Sequence, residues 1–219
     1  GALLGPIGML VGGAVGAIAG GAAGKGVAER IDPTGESEYW RNEHAHRPYV
    51  DRQYDYDKDY APAYAYGDQV RNRHAGRSWD QALEAEVRQG WDSARSDSRL
   101  DWDKARDAVR DAYDRSDRTY RAYEATDQYY LDKHRSTDYY NDSYQFDSDY
   151  RPAYRYGTYA RSAHAGRSWV PALEGALGRG WDTARGSSRV DGAQARAAVR
   201  DAWDGVETVL PGNSHHSQR

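Results

Sequence analysis

The 219-residue chain contains no cysteine, so disulfides and thiolate metal sites are excluded. Aliphatic side chains are nearly as scarce. Isoleucine stops at Ile31, and beyond Tyr39 leucine occurs only at positions 83, 100, 131, 173, 177 and 210. Leu, Ile, Val and Phe together fall well under the ~20% below which a chain usually fails to build a core. Lysine is confined to Lys25, Lys58, Lys104 and Lys133, and there is one Phe and one Met. Excess charge is missing too. The 30 basic and 34 acidic residues leave a net charge of -4 and a pI near 6.0, which gives no electrostatic reason to expect nucleic acid as a partner. The repeats described below carry no nucleophile elbow, HExxH, P-loop or GxGxxG, and the glycine-rich Gly20 to Gly26 lacks the Lys-Ser/Thr ending of a P-loop. The N-terminus has no basic n-region of the kind a signal peptide needs.

What is present is aromatic: 19 Tyr and 7 Trp. A chain poor in aliphatics usually reads as disordered, but disorder goes with few aromatics and high net charge, and this chain has neither. The expectation is a fold held by Tyr/Trp packing and by Asp–Arg pairing, for which the planar guanidinium is well suited. Subunit contacts are expected to complete it.

Residues 1–28 carry no charge except Lys25 and contain a glycine every fourth residue: Gly8, Gly12, Gly16, Gly20 and Gly24. Glycine weakens a helix by roughly 1 kcal/mol relative to alanine, so a regular row needs a reason. Residues four apart share a helix face, and a face without side chains lets another backbone approach closely. The segment reads as a glycine-zipper helix starting near Pro6, and is just long enough to cross a bilayer, which takes about 20 apolar residues. Residues 29–38, with Asp32-Pro33 and Gly35, read as a linker.

From Tyr39 the chain repeats at an offset of 90 without a gap. Residues 60–67, YAPAYAYG, return as YRPAYRYG at 150–157. HAGRSW returns at His164 to Trp169, GWD at Gly180 to Asp182, and AVRDA at Ala198 to Ala202. This is a duplicated module. The expected fold is all-α: a glycine-zipper helix, then two tandem three-helix modules at 39–120 and 121–210, then a polar tail, 211–219. The first helix of a module follows Asp59, with Pro62 in its opening turn and Gly76 beyond its end. The second is expected to be capped by Ser78, with Gln81 completing a weak capping box. The third starts near Ser98 to Asp101. In the first copy it meets no breaker before Ser136, so it can run on as one long helix joining the modules. The stretches 49–60 and 139–150 alternate Tyr with Asp, lack helical period and read as extended loops.

This combination resembles a group of bacterial proteins of unknown function that pair an N-terminal glycine zipper with Tyr/Trp-rich repeats. Carrying the resemblance are IDPT at 31–34, EYWR at 38–41, Arg47-Pro48-Tyr49, PAYAYG at 62–67, GRSW at 76–79 and VRDA at 109–112. It covers nearly the whole chain and implies no activity. The second copy departs from it where Trp40, Arg47 and Pro48 become Tyr130, Thr137 and Asp138.

No catalytic residue, cofactor or metal ligand is assigned from the sequence. His74/His164 and His44/His134 are equivalent pairs without a second ligand at helical spacing, and a zinc site needs three or four clustered ligands. A histidine near a helix C-terminus is explained by the helix dipole. Asp55 to Asp59 opens like a calcium loop but has Tyr60 for the glycine and Tyr66 for the closing glutamate. Turn carboxylates and a helix cap at Asp59 account for it. The aromatics Tyr60, Tyr64, Tyr66, Trp79, Trp91 and their copies Tyr150, Tyr154, Tyr156, Trp169 and Trp181 either stack on a ligand such as a sugar or pack as core and interface.

The expected function is a non-enzymatic, self-assembling structural protein. It would be a filament or ring subunit packed through Gly8, Gly12, Gly16, Gly20 and Gly24. The alternative is a membrane-anchored protein of the cell envelope, with residues 1–28 in lipid and the repeats binding a glycan or other envelope polymer. The expected partners are the chain itself and, through 1–28, membrane lipid. The expected location is a bacterial cell envelope or outside the cell.

Overall fold

The computed structural model describes residues 33–209. The glycine ladder, residues 1–28, and the polar tail, 211–219, lie outside the described residues. The described chain is all-helical, with no strand among those residues. Seven α-helices follow one another: α1 (Pro33–Glu43), α2 (Ala61–Arg73), α3 (Gln81–Ala94), α4 (Trp102–Lys133), α5 (Arg151–Ala163), α6 (Pro171–Ala184) and α7 (Gly192–Val209). The chain divides into two compact units between Thr119 and Tyr120. Helix α4 runs through that division without a break for 32 residues.

The boundaries of α2 and α3 recur in α5 and α6 at the 90-residue offset, and the start of α7 matches that of α4. The last turns of α4, 123–133, stand where α1 stands in the first copy. Helix is therefore found at 33–38, where a linker was expected. The second helix is capped by Asp80, not Ser78: the Asp80 carboxylate accepts from the Leu83 amide at 2.7 Å. The second copy has Val170 there and begins on Pro171 instead.

The Tyr-Asp stretches are not extended throughout. Each ends in one turn of π-helix, Tyr56–Tyr60 and Phe146–Tyr150. The cause lies far off in sequence. Asp59 does not cap α2; it is fully buried. Its carboxylate accepts from the Asp55 amide at 2.8 Å, from the Arg99 amide at 2.8 Å and from the Arg99 guanidinium at 2.6 Å. Ser98 Oγ donates to the Asp59 carbonyl at 2.7 Å. Asp149, Gln145, Ser188 and Arg189 repeat the arrangement. Hydrogen bonding to Arg99 holds the Asp59 carboxyl well below the usual range against the cost of burial. For Asp149 burial pushes upward, and the hydrogen bonds from Arg189 and Gln145 outweigh it.

Each unit is packed around rings. Trp40 stacks on Tyr64 at 4.2 Å between centroids, and Tyr130 on Tyr154 at 4.0 Å. Tyr49 Oη lies 3.0 Å from Tyr64 Oη and donates to Asp111 at 2.7 Å; Tyr139, Tyr154 and Asp201 do the same. Trp91 Nε1 donates to the Leu100 carbonyl and Trp181 Nε1 to the Val190 carbonyl. These tyrosines and tryptophans carry their polar tips to partners, whereas Trp40 Nε1 is buried without one. Helices cross closely at Gly67 and Gly157. A Cβ on Gly67 would meet the Val109 carbonyl oxygen at 2.2 Å, and one on Gly157 the Val199 oxygen at the same distance.

Candidate functional site

Of the ten aromatics singled out from the sequence, eight are buried. Tyr60, Tyr64, Tyr66 and Trp91 lie in the core of the first unit, and Tyr150, Tyr154, Tyr156 and Trp181 in that of the second. Trp79 and Trp169 pack at the edges of those cores, partly exposed. Gly8, Gly12, Gly16, Gly20 and Gly24 lie outside the described residues.

Trp169 and Trp181 meet in a cleft of about 220 Å³ between α6 and α7 of the second unit. Helix α6 supplies Leu177 and Trp181 to its wall and Glu174 and Asp182 to its rim. Helix α7 supplies Ala195 and Val199 to the wall and Arg196 to the rim. Arg196 Nε sits 3.0 Å from Glu174 Oε1. Asp182 is exposed and has no ion-pair or hydrogen-bond partner among the described residues. Trp169 is held by the ring of Trp203, edge on at 5.6 Å, and by the Arg200 guanidinium 5.4 Å from its centroid. Its Nε1 is buried without a hydrogen-bond partner. In the first unit the equivalent Trp79 Nε1 donates to Glu84 at 3.3 Å.

Two differences between the copies coincide with this cleft. Gly192 and Gly178 line it, and at their places in the first unit stand Trp102 and Arg88. Trp102 is buried in the core that also holds Val87, Trp91, Ala105 and Val109, the counterparts of the cleft wall. A Cβ on Gly178 or Gly192 would meet nothing within 4 Å. Comparison with protein-family models, curated proteins and solved structures gave no match. The chemistry of the cleft is therefore read from its residues alone: an apolar slot between two indoles, an acidic and basic rim, and one buried donor left over.

The first unit has a different unusual feature. Glu36 is buried, and its Oε2 accepts from Arg115 Nε at 2.9 Å. Its Oε1 and Asp68 Oδ1 are sealed from solvent without hydrogen-bond partners. Burial raises the Asp68 carboxyl well above the usual carboxylate range, the negative Glu36 raises it further, and Arg115 opposes both. In the second unit the same three places hold Thr126, Thr158 and Gly205. The two hydroxyls lie 2.9 Å apart, and Tyr130 Oη lies where a Cβ on Gly205 would fall. The acid pair thus belongs to one copy only, with one oxygen of each carboxylate sealed from solvent.

The histidines are dispersed. His134 Nδ1 lies 2.9 Å from the Tyr130 carbonyl oxygen, and His164 is buried beside Trp203 with its pKa lowered by burial and by Arg167. No cluster of three metal-binding side chains occurs among the described residues. No described helix is long and apolar enough to cross a membrane.

Proposed function

We propose that the protein is a non-enzymatic structural protein of a bacterial envelope or its exterior. It self-assembles into a filament or ring through the glycine face of residues 1–28, and two copies of one three-helix unit form the body. The observation that supports this most is the continuity of α4. Its first part matches α7 and its last turns match α1 in the repeat frame, so one copy's closing helix is the next copy's opening helix. In repeat arrays each unit is stabilised in part by its neighbours. The deployment of charge agrees. Asp59, Asp149 and Glu36 are buried and each committed to an arginine of its own unit, which leaves them no part in turnover.

The test is Gly16→Leu in the full chain. Leucine is a better helix former than glycine, so the change spares helicity and membrane affinity while blocking close backbone approach. Sedimentation and electron microscopy should show loss of large particles, with unchanged circular dichroism. Wild-type particles from this variant would overturn the proposal. A second reading, a membrane-anchored protein whose repeats bind a glycan or other envelope polymer, is favoured by the cleft between Trp169 and Trp181. Polymer binding that survives Gly16→Leu and fails on cleft substitution would support it.

A further inference from the structure

The cleft between α6 and α7 lies at the place where the first unit keeps an indole. We propose that it is a binding site for a small planar aromatic ligand of indole size. The argument rests on the duplication. Both copies keep the wall: Trp91 and Trp181 are each fixed by a hydrogen bond from Nε1 to the carbonyl two residues before the last helix begins, at Leu100 and Val190. Both keep the acid on the second helix paired to the arginine on the last one, Glu84 with Arg106 and Glu174 with Arg196. What the second copy loses is the ring of Trp102, which is buried in the core of the first unit and replaced by Gly192. A core that loses a large side chain usually relaxes only in part, and the remainder is a cavity. A dry apolar cavity of ~150 Å³ is enough to bind benzene, and the slot of about 220 Å³ has room for one fused ring system.

Polar groups at the slot point to a ligand as well. Trp169 Nε1 lacks the acceptor that Trp79 Nε1 keeps in Glu84, although both acids are paired with the arginine on the last helix. A buried donor without an acceptor is uncommon in a folded protein, and this one has no surface open to the slot. Asp182 at the rim offers an unpaired carboxylate to a ring N–H. The inference is independent of self-assembly, since the slot is formed within one unit of one chain.

The experiment is a titration of the full-length protein with indole, followed by the side-chain N–H resonances of its tryptophans. Those of Trp169 and Trp181 should move in a saturable way while those of Trp79 and Trp91 stay fixed. Gly178→Leu puts a side chain into open space at the slot's edge on a helix it favours. It should weaken indole binding by about tenfold or more, as overfilling a packed site does. Absence of saturable shifts in the wild type, shifts centred on the first unit, or unchanged affinity in Gly178→Leu would each overturn the proposal. So would short glycan oligomers that shift Trp169 and Trp181 where indole does not, an outcome that favours the polymer-binding reading.

Discussion

Neutralising Asp59 tests whether a charge forty residues from its partner shapes the π-turn. Asp59→Asn keeps the shape of the side chain and removes the charge. The wild-type carboxylate takes hydrogen bonds from the Asp55 amide, the Arg99 amide and the Arg99 guanidinium, with its side chain fully buried. An asparagine has one acceptor oxygen, so its amide nitrogen must face donors. Breaking a buried pair by removing one partner costs about 3–5 kcal/mol. Arg99 is half exposed and regains water, so the lower end of that range, about 3 kcal/mol, is the expectation. Asp149→Asn should cost a similar amount, because Arg189 is equally exposed and the bonds are the same. The assay is urea unfolding of each variant at several pH values. Asp59 has its folded pKa lowered from 3.8, so its stabilisation is complete above the unfolded value and is lost as pH falls through the folded one. The gap between wild type and Asp59→Asn should therefore close in strong acid. A loss below about 1 kcal/mol at neutral pH, or a gap independent of pH, would refute the reasoning.

Asp68→Asn should act with the opposite sign. The folded carboxyl of Asp68 is raised above 3.8, so its ionisation opposes folding as pH rises, and the variant should gain on the wild type between acid and neutral pH in the same unfolding assay. Gly67→Ala and Gly157→Ala each drive a methyl toward a backbone oxygen at 2.2 Å, and each should lower stability by about 1–3 kcal/mol in thermal melts, although alanine is the better helix former. Trp102→Gly should cost about 3–5 kcal/mol of urea stability in the first unit and create a second indole site there, read from Trp79 and Trp91 resonances.

The duplication was legible because runs such as HAGRSW recur whole, and so was the helical character of α2, α3 and α4, from Pro62, Gly76 and uninterrupted period. The π-turns were not, because the Asp59–Arg99 contact that holds them joins two places with no local pattern between them. The choice between Ser78 and Asp80 as cap was equally hidden, since either residue type can cap and only the carboxylate that reaches the Leu83 amide decides. Trp169 and Trp181 were named from the sequence, but the cleft between them was not foreseen. Its signal was present as glycine at 178 and 192 against Arg88 and Trp102. It lay in what the copies do not share, whereas a repeat is recognised by what they do. Glu36, Asp68 and Arg115 escaped notice for the same reason as Asp59: their proximity is made only by packing.

The helix that belongs to both copies also sets how the chain could grow. Val209 stands in α7 at the place in the period that Thr119 holds within α4, and Tyr120 is the next residue in that frame. Joining a further 120–209 directly after Val209 would thus write the sequence of another through-running helix at the seam, with no new turn or linker to invent. Length in such a protein is altered by whole periods of 90 residues, and the join falls inside a helix, where backbone hydrogen bonds are regular on both sides of the cut. Gene-level duplication within that stretch would lengthen the protein like a ruler gaining one division, each carrying either a filled or an empty ring slot.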